Sequence, residues 1–488
     1  MESSTHLRTT SNGSAEAQSG AIPLIDISRT PSPYPRARSA AQSEDEDDDY
    51  EPAASLVRPL VAADGGNEGR TWQRIARNGG LGKFFFGTWV GWQVYVGLLV
   101  FWVAGTSFYL LLMNRFILLT GVYKFPYPLT MTWIQLVLEH IILLGFAAFT
   151  RLLARQFQIL GLGAVVAPST PLSAAGSGYR TTAKGHGLLA GLLRWISGGT
   201  GGIAGGGLFE FEWATAKQVL PLAVVYMAKV VLSNISFAYA AQETYTLARI
   251  GVVPISLILA STSSRSSLSA NSVPTLSSAL TAAFSLLVAC IRSGVRVTWE
   301  SILAGVFSSL FVAVYPIMLL RTYRMLVNDM VPQGDVLTGF PSAESGADEA
   351  SSVTREETRA YWRTLHYTSI LTLILLSPIV LFSGELSNIH HNCYFLDVPF
   401  FWFLTLCGGI GAWAVFTSTL LLTKATSPLT VNFISVPRGG FELMCLNHFK
   451  LPVHSWLGVG FCWVASGWFL IARRDEGRTL DRMRLEGR

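Results

Sequence analysis

The sequence predicts an all-α polytopic membrane protein of about ten transmembrane helices, arranged as two inverted five-helix repeats. Three observations carry that prediction. Half of the 488 residues are apolar and only 14% are charged, far from the balance of a soluble domain. The apolar residues gather into stretches of roughly 20, the length at which a helix crosses the hydrocarbon of a bilayer. In the fourth stretch of each set of five, an arginine sits beside helix breakers.

Residues 1–83 are rich in Ser, Pro, Ala and charge and include the acidic run EDEDDDYE at 44–51. Such a segment cannot bury enough apolar surface to offset its chain entropy, so a disordered cytosolic tail is expected. No apolar signal core stands near Met1, and the acids argue against a transit peptide, so the first span is expected to drive insertion. Residues 84–472 hold the spans, and 473–488 form a C-terminal cytosolic tail.

The spans fall at about 94–119, 129–150, 215–240, 246–262, 273–291, 299–321, 366–386, 398–422, 428–446 and 453–472. The Ser-rich stretch STSSRSSLSANS leaves the fourth and fifth short. Long polar or Gly-rich inserts at about 151–214 and 324–362 read as flexible cytosolic linkers. Basic residues alternate between faces. Arg70, Arg74, Arg77 and Lys83 precede the first span, the segment 151–217 carries six Lys or Arg against two Glu, and Arg473 and Arg474 follow the last span. The opposite connections carry Gln242, Glu243, Glu385 and Asp397; only 292–298, with Arg292 and Arg296, breaks the pattern. By the positive-inside rule both termini are cytosolic.

Five spans per half give the two halves opposite orientations, the geometry of secondary transporters whose sites lie between inverted repeats. Span four contains Arg249, Gly251 and Pro254; span nine contains Pro437, Arg438, Gly439 and Gly440. An arginine at mid-bilayer costs about 2.5–3.5 kcal/mol on insertion scales, so it is normally functional or paired. Lys229 adds a third cation in span three, with Asn234 and Ser236 on the following turns. Forked guanidinium groups and a movable ammonium suit a phosphorylated ligand. Glu442, four residues after Arg438, is the local pairing alternative. Glu139 and His140 in span two read as a proton relay or as partners of the cations. Lys424 lies at a span end, where basic side chains reach the interface; it is kept as a weaker candidate. Tyr226, Tyr239, Tyr245 and Phe441 are aromatic candidates for stacking on a base.

Met113 to Trp133 read "MNRFIL" and then "YKFPYPLTMTW". With "KVVLSNISFAYAAQETYTLARIGVVP" at 229–254 and "TKATSPLTVNFISVPRGG" at 423–440, these segments resemble the triose-phosphate and nucleotide-sugar translocators of the drug/metabolite transporter superfamily. The likeness covers about 90–472. It implies an antiporter that trades a phosphorylated sugar or nucleotide sugar for phosphate or a nucleoside monophosphate, in a Golgi or endoplasmic reticulum membrane. Arg249 matches the family's basic residue shortly before a proline. Arg438 matches the lysine or Lys-Arg pair that follows the Ser-Pro-x-Thr segment, here Ser427, Pro428 and Thr430. Lys229 falls beside a polar position that helps bind substrate. The chain departs from plastid members in having Arg438-Gly439 for Lys-Arg and Phe416-Thr417-Ser418 for the Tyr-Asn of helix eight. It also lacks the Gly-Ala-Leu-Asn-Lys and Phe-Tyr-Asn-Asn motifs of GDP-mannose carriers.

The substrate-binding candidates are therefore Lys229, Asn234, Arg249, Lys424, Thr430 and Arg438, with Glu139, His140 and Glu442 as coupling or pairing residues. Partners are a small phosphorylated anion and the lipid bilayer, without nucleic acid; a homodimer is open. No cofactor is expected, and the five cysteines show no metal or disulfide spacing. Two other classes remain, a membrane-embedded transferase using His390 and His391, and a non-transporting scaffold or receptor. Adjacent histidines point to different sides of a helix and make a poor metal pair.

Overall fold

The computed structural model describes residues 85, 89–119, 125–160, 162, 165–168, 211–239, 242–263, 272–291, 299–330, 346–392 and 398–485. The expected tail at 1–83 lies outside them, as do most of the expected linker 151–214 and residues 331–345 of the expected linker 324–362. The described helices are α1 (Trp89–Leu118), α2 (Pro128–Leu152), α3 (Ala154–Ile159), α4 (Trp213–Tyr239), α5 (Gln242–Ile250), α6 (Val252–Ser263) and α7 (Val273–Cys290). They continue with α8 (Trp299–Met330), α9 (Gly346–Phe382), α10 (Glu385–Asn392), α11 (Pro399–Ala425), α12 (Pro428–Phe433), α13 (Ser435–Leu446) and α14 (Val453–Leu485).

The protein is an all-α polytopic membrane protein. Among the described residues eight helices are long and apolar enough to cross a bilayer: α1, α2, α4, α7, α8, α9, α11 and α14. Large apolar side chains such as Phe101 on α1 and Phe461 and Val464 on α14 lie exposed, as a lipid-facing surface requires. The two remaining apolar segments are broken helices, α5–α6 and α12–α13.

Helix ends extend past the apolar stretches because a helix does not stop at the edge of the hydrocarbon. α8 runs on to Met330, and α9 starts at Gly346, inside the segment 324–362 expected to be a linker. Its first turns read GADEASSV, so it starts eight residues before the S/T-x-x-E spacing of Thr354 with Glu357 that would favour a helix start.

Both breaks have one cause. A proline lacks the N–H that would bond the carbonyl four residues back and its ring crowds that carbonyl. In the fourth segment Pro254 withdraws its bond from Ile250, and the chain turns at Gly251; in the ninth, Pro437 does the same to Phe433, and the turn falls at Ile434. The residue after each proline restores the ladder at the same length: Ile255 N–H donates to Gly251 O and Arg438 N–H to Ile434 O, both at 3.3 Å. The ninth segment thus breaks three residues earlier than its Pro-Arg-Gly-Gly run suggests, and α13 passes unbroken through Gly439 and Gly440.

The most extensive packings join α7 with α14, α4 with α8, α11 with α1, α11 with α2, and α4 with α9. With the broken segments counted as fourth and ninth, a shift of five places turns α4 on α8 into α11 on α1, and α4 on α9 into α11 on α2. The antiparallel α7–α14 pair is tied at both ends. At one, Glu476 accepts from the Ser272 N–H at 2.5 Å; at the other, Ser455 Oγ donates to Ala289 O at 2.9 Å. Between them Gly458 lets the backbones meet, since a Cβ there would lie 2.8 Å from Ser285 O.

Candidate functional site

Arg249 ends α5 and Arg438 lies in the first turn and a half of α13, each beside its break. The two line one cleft, with Thr246, Ile250, Leu286, Ser435, Val436, Gly439 and Glu442. Even with the solvent at its open side counted, its space is about 260 Å³, an upper bound that falls short of the roughly 300–1,000 Å³ of small-molecule sites. A nucleotide-sized ligand therefore needs the cleft to widen.

Each guanidinium is only partly satisfied. Arg249 lies with its Cζ 4.9 Å from the Tyr245 ring centroid and donates through Nη2 to Ser233 Oγ, while its buried Nε has no hydrogen-bond acceptor. Ser233 in turn meets the Tyr245 hydroxyl at 3.3 Å. Arg438 Nε stands 2.8 Å from Glu442 Oε1, the local pair that the i,i+4 spacing anticipates, but the approach does not meet hydrogen-bond geometry. The side chains of this pair are 13% and 4% exposed, so neither is solvated as a surface ion would be.

Close packing holds α8 against the broken segments. At Gly305 a Cβ would lie 2.6 Å from the Ala248 Cβ, so α8 approaches α5 only because that side chain is missing. One turn on, Ser309 Oγ donates to the Ala248 carbonyl beside the break, and a further turn on, Ala313 O accepts from Asn432 Nδ2 of α12 at 3.0 Å.

Lys229 on α4 is set deeper. Its ammonium lies 4.0 Å from the Tyr315 ring centroid and 5.4 Å from that of Tyr226. It is within electrostatic range of Arg249, Arg438 and Glu139. Glu139 has no solvent exposure, and its two oxygens accept from the Tyr226 hydroxyl at 3.1 and 3.0 Å. His140 turns the other way, meeting Ser369 Oγ at 3.2 Å and the ring of His366 at 5.5 Å.

The other sequence candidates lie outside the cleft lining. Asn234 is part of a buried chain through α1, α2 and α4: Gln135 donates to Asn114 (2.7 Å), Asn114 to Asn234 (3.2 Å), and Asn234 to Thr132 (2.8 Å). Thr430 sits at a helix start rather than in a cavity: its N–H donates to Ser427 Oγ at 3.2 Å, the N-cap bond that a Ser-Pro helix start favours. Lys424 pairs with Glu357 Oε2 at 2.5 Å near Tyr323. The comparable start of α2 after Tyr127 has no side-chain cap of its own; Glu385 of α10 supplies the acceptor, 2.7 Å from the Thr130 N–H. Of the aromatic candidates, Tyr226 packs on Phe416 and Tyr245 on Phe237, while half-exposed Phe441 packs on Phe108 and Tyr239 is exposed. Tyr315, which seats Lys229, was not singled out in the sequence; its one signal is its place beside Pro316 in a span. His390 and His391 meet edge to face at 5.2 Å, and among the described residues no group of three or more His, Cys, Asp or Glu could hold a metal.

No protein-family model matches the chain. Among curated proteins it is similar to GDP-fucose transporter 1 of Dictyostelium discoideum, 25% identical over 276 residues that cover 55% of this chain and 64% of that protein. GDP-fucose transporter 1 of Monosiga brevicollis is 22% identical over 281 residues, covering 56% and 74%. The GDP-fucose transporter of Caenorhabditis elegans is 26% identical over 238 residues, covering 46% and 54%. The chain thus spans a little under two thirds of the length of the first of these. These relatives bear out the resemblance read from the sequence, to the nucleotide-sugar branch of the drug/metabolite transporter superfamily.

Proposed function

We propose that the protein is a nucleotide-sugar antiporter of a Golgi or endoplasmic reticulum membrane, with both termini cytosolic, exchanging a nucleoside diphosphate sugar of the GDP-fucose class for a nucleoside monophosphate. Two arginines brought into one cleft by equivalent helix breaks carry this reading. A cation exposed by an interrupted span attracts a polyanion and is costly to leave unpaired, which favours exchange over one-way movement. The interhelical contacts that interconvert on a shift of five places support two inverted repeats of five spans, with α5–α6 and α12–α13 as the fourth and ninth. Arg249, Arg438 and Lys229 are the phosphate ligands. Asn234, Thr430 and Lys424 hold the frame: their hydrogen bonds are made within it.

The test is uptake of labelled GDP-fucose and a panel of other nucleotide sugars into proteoliposomes with and without GMP, UMP or CMP inside. Uptake stimulated by one internal nucleotide and abolished by Arg438→Ala and Arg249→Ala is expected. Equal uptake into empty vesicles would refute exchange, and full activity of both variants would refute the site.

A further inference from the structure

Glu139 is the one acid of this region that the cleft does not use. It sits in the middle of α2 with no solvent exposure, and among the described residues the only hydrogen bonds to its carboxylate come from Tyr226. Among the described residues no lysine, arginine or histidine lies within ion-pair distance of it. The cation that could neutralise it, Lys229, is on the turn of α4 after Tyr226 but is held on the face of Tyr315 instead. A carboxylate in a span without a counter-ion carries a heavy desolvation cost, whereas a neutral acid needs only hydrogen bonds. The geometry is that of an acid holding a proton, with a lysine free to serve something else.

Charge balance indicates what the lysine serves. Arg249, Arg438 and Lys229 give three positive charges and Glu442 removes one. With Glu139 protonated the set carries two positive charges, matching the two negative charges of a nucleoside diphosphate sugar; with Glu139 ionised it carries one, and Lys229 has an acid to pair with. Other titratable groups near Glu139 are Tyr226 on α4, Tyr315 on α8, and His140 on its own helix, whose ring faces Ser369 and His366 of α9.

We propose that Glu139 is a proton-binding site coupled to the substrate site: the geometry seen is its protonated form, bound phosphates that hold Lys229 keep it protonated, and in the empty site at higher pH it gives the proton up and pairs with Lys229. This rests on the nucleotide-sugar reading above.

The experiment is calorimetric titration of the full-length protein in detergent with GDP-fucose, GMP and pyrophosphate, repeated in buffers of differing ionisation enthalpy and across pH. Proton uptake per nucleotide should rise toward about one as pH increases, and Kd should then weaken by up to about tenfold per pH unit. Glu139→Gln, which mimics the protonated acid, should bind with no proton uptake and a flat pH profile, and His140→Asn should keep the wild-type linkage. Binding with buffer-independent heat in the wild type at every pH overturns the proposal and leaves the transporter reading intact; this holds even where Glu139→Gln does not fold. Linkage lost in His140→Asn but kept in Glu139→Gln overturns the assignment. No binding of any of the three ligands overturns this proposal together with the reading beneath it.

Discussion

Glu442 and substrate phosphate compete for the same guanidinium, so replacing Glu442 by Gln should tighten substrate binding. The size of the effect follows from the pair's setting. An exposed i,i+4 ion pair is worth about 0.3–0.5 kcal/mol, and breaking a fully buried one costs about 3–5 kcal/mol. Arg438 and Glu442 are nearly buried, at 13% and 4% exposure, but line an open-sided cleft and lack a well-directed hydrogen bond. A worth of about 1–2 kcal/mol is therefore reasonable, and a phosphate must meet that cost before it engages Arg438. At about 1.4 kcal/mol per tenfold, the concentration for half-maximal exchange should fall by about 5- to 30-fold in Glu442→Gln. The same change leaves Arg438 uncompensated in the empty carrier, so net uptake into empty vesicles should fall relative to exchange. Both are read from labelled nucleotide-sugar uptake into proteoliposomes, with and without nucleotide inside. An unchanged half-saturation would show that Glu442 does not compete, and a raised one would mean that it touches the substrate itself.

Gly458→Ala forces a Cβ against Ser285 O and Ala289, so thermal unfolding in detergent should fall by the several degrees that an overpacking cost of about 1–3 kcal/mol implies. Glu385→Ala frees the Thr130 amide at the start of α2; its hydrogen exchange should quicken, with a stability loss of about 1 kcal/mol and transport retained. Lys424→Gln breaks a pair that is about one third exposed, so stability should change by under about 1 kcal/mol and half-saturation should not move; a large loss of affinity would place Lys424 in the site. Asn234→Ala takes the acceptor from Asn114 Nδ2 and the donor from Thr132 Oγ1, and should lower the unfolding temperature while leaving half-saturation within about twofold.

Composition and periodicity made the membrane fold legible, because hydrocarbon tolerates so few arrangements of backbone that an apolar stretch of the right length nearly fixes its own structure. Helix ends were less legible: hydropathy marks where a helix leaves lipid, not where its hydrogen bonds stop, so α8 and α9 overrun their apolar windows. In the ninth segment the position of the break was misplaced because the eye falls on Gly439-Gly440, whereas the lost hydrogen bond lies four residues behind Pro437. Arg249 and Arg438 stood out because guanidinium groups are rare in spans. Tyr315 did not, since an aromatic residue that seats a lysine has the same sequence signature as one that packs. Asn234 looked like a ligand for the opposite reason: its partners Asn114 and Thr132 are more than 100 residues away, and no local pattern reveals such a chain.

The two breaks are mechanically linked through α8. Ser309 holds the carbonyl next to the Gly251 turn, and the carbonyl of Ala313, one turn later, holds Asn432 two residues before the Ile434 turn. Two contacts one helical turn apart on a single rod fix the spacing of the segments that carry Arg249 and Arg438. Just past them Pro316 interrupts the ladder of α8, so this rod has its own point of bending beside Tyr315, the residue on which Lys229 rests. A movement of α8 about Pro316 would therefore carry the two guanidinium groups together, at fixed spacing, relative to the part of α8 beyond the proline. That is the geometric requirement for a cleft now too narrow for a nucleotide to widen with its two arginines kept together.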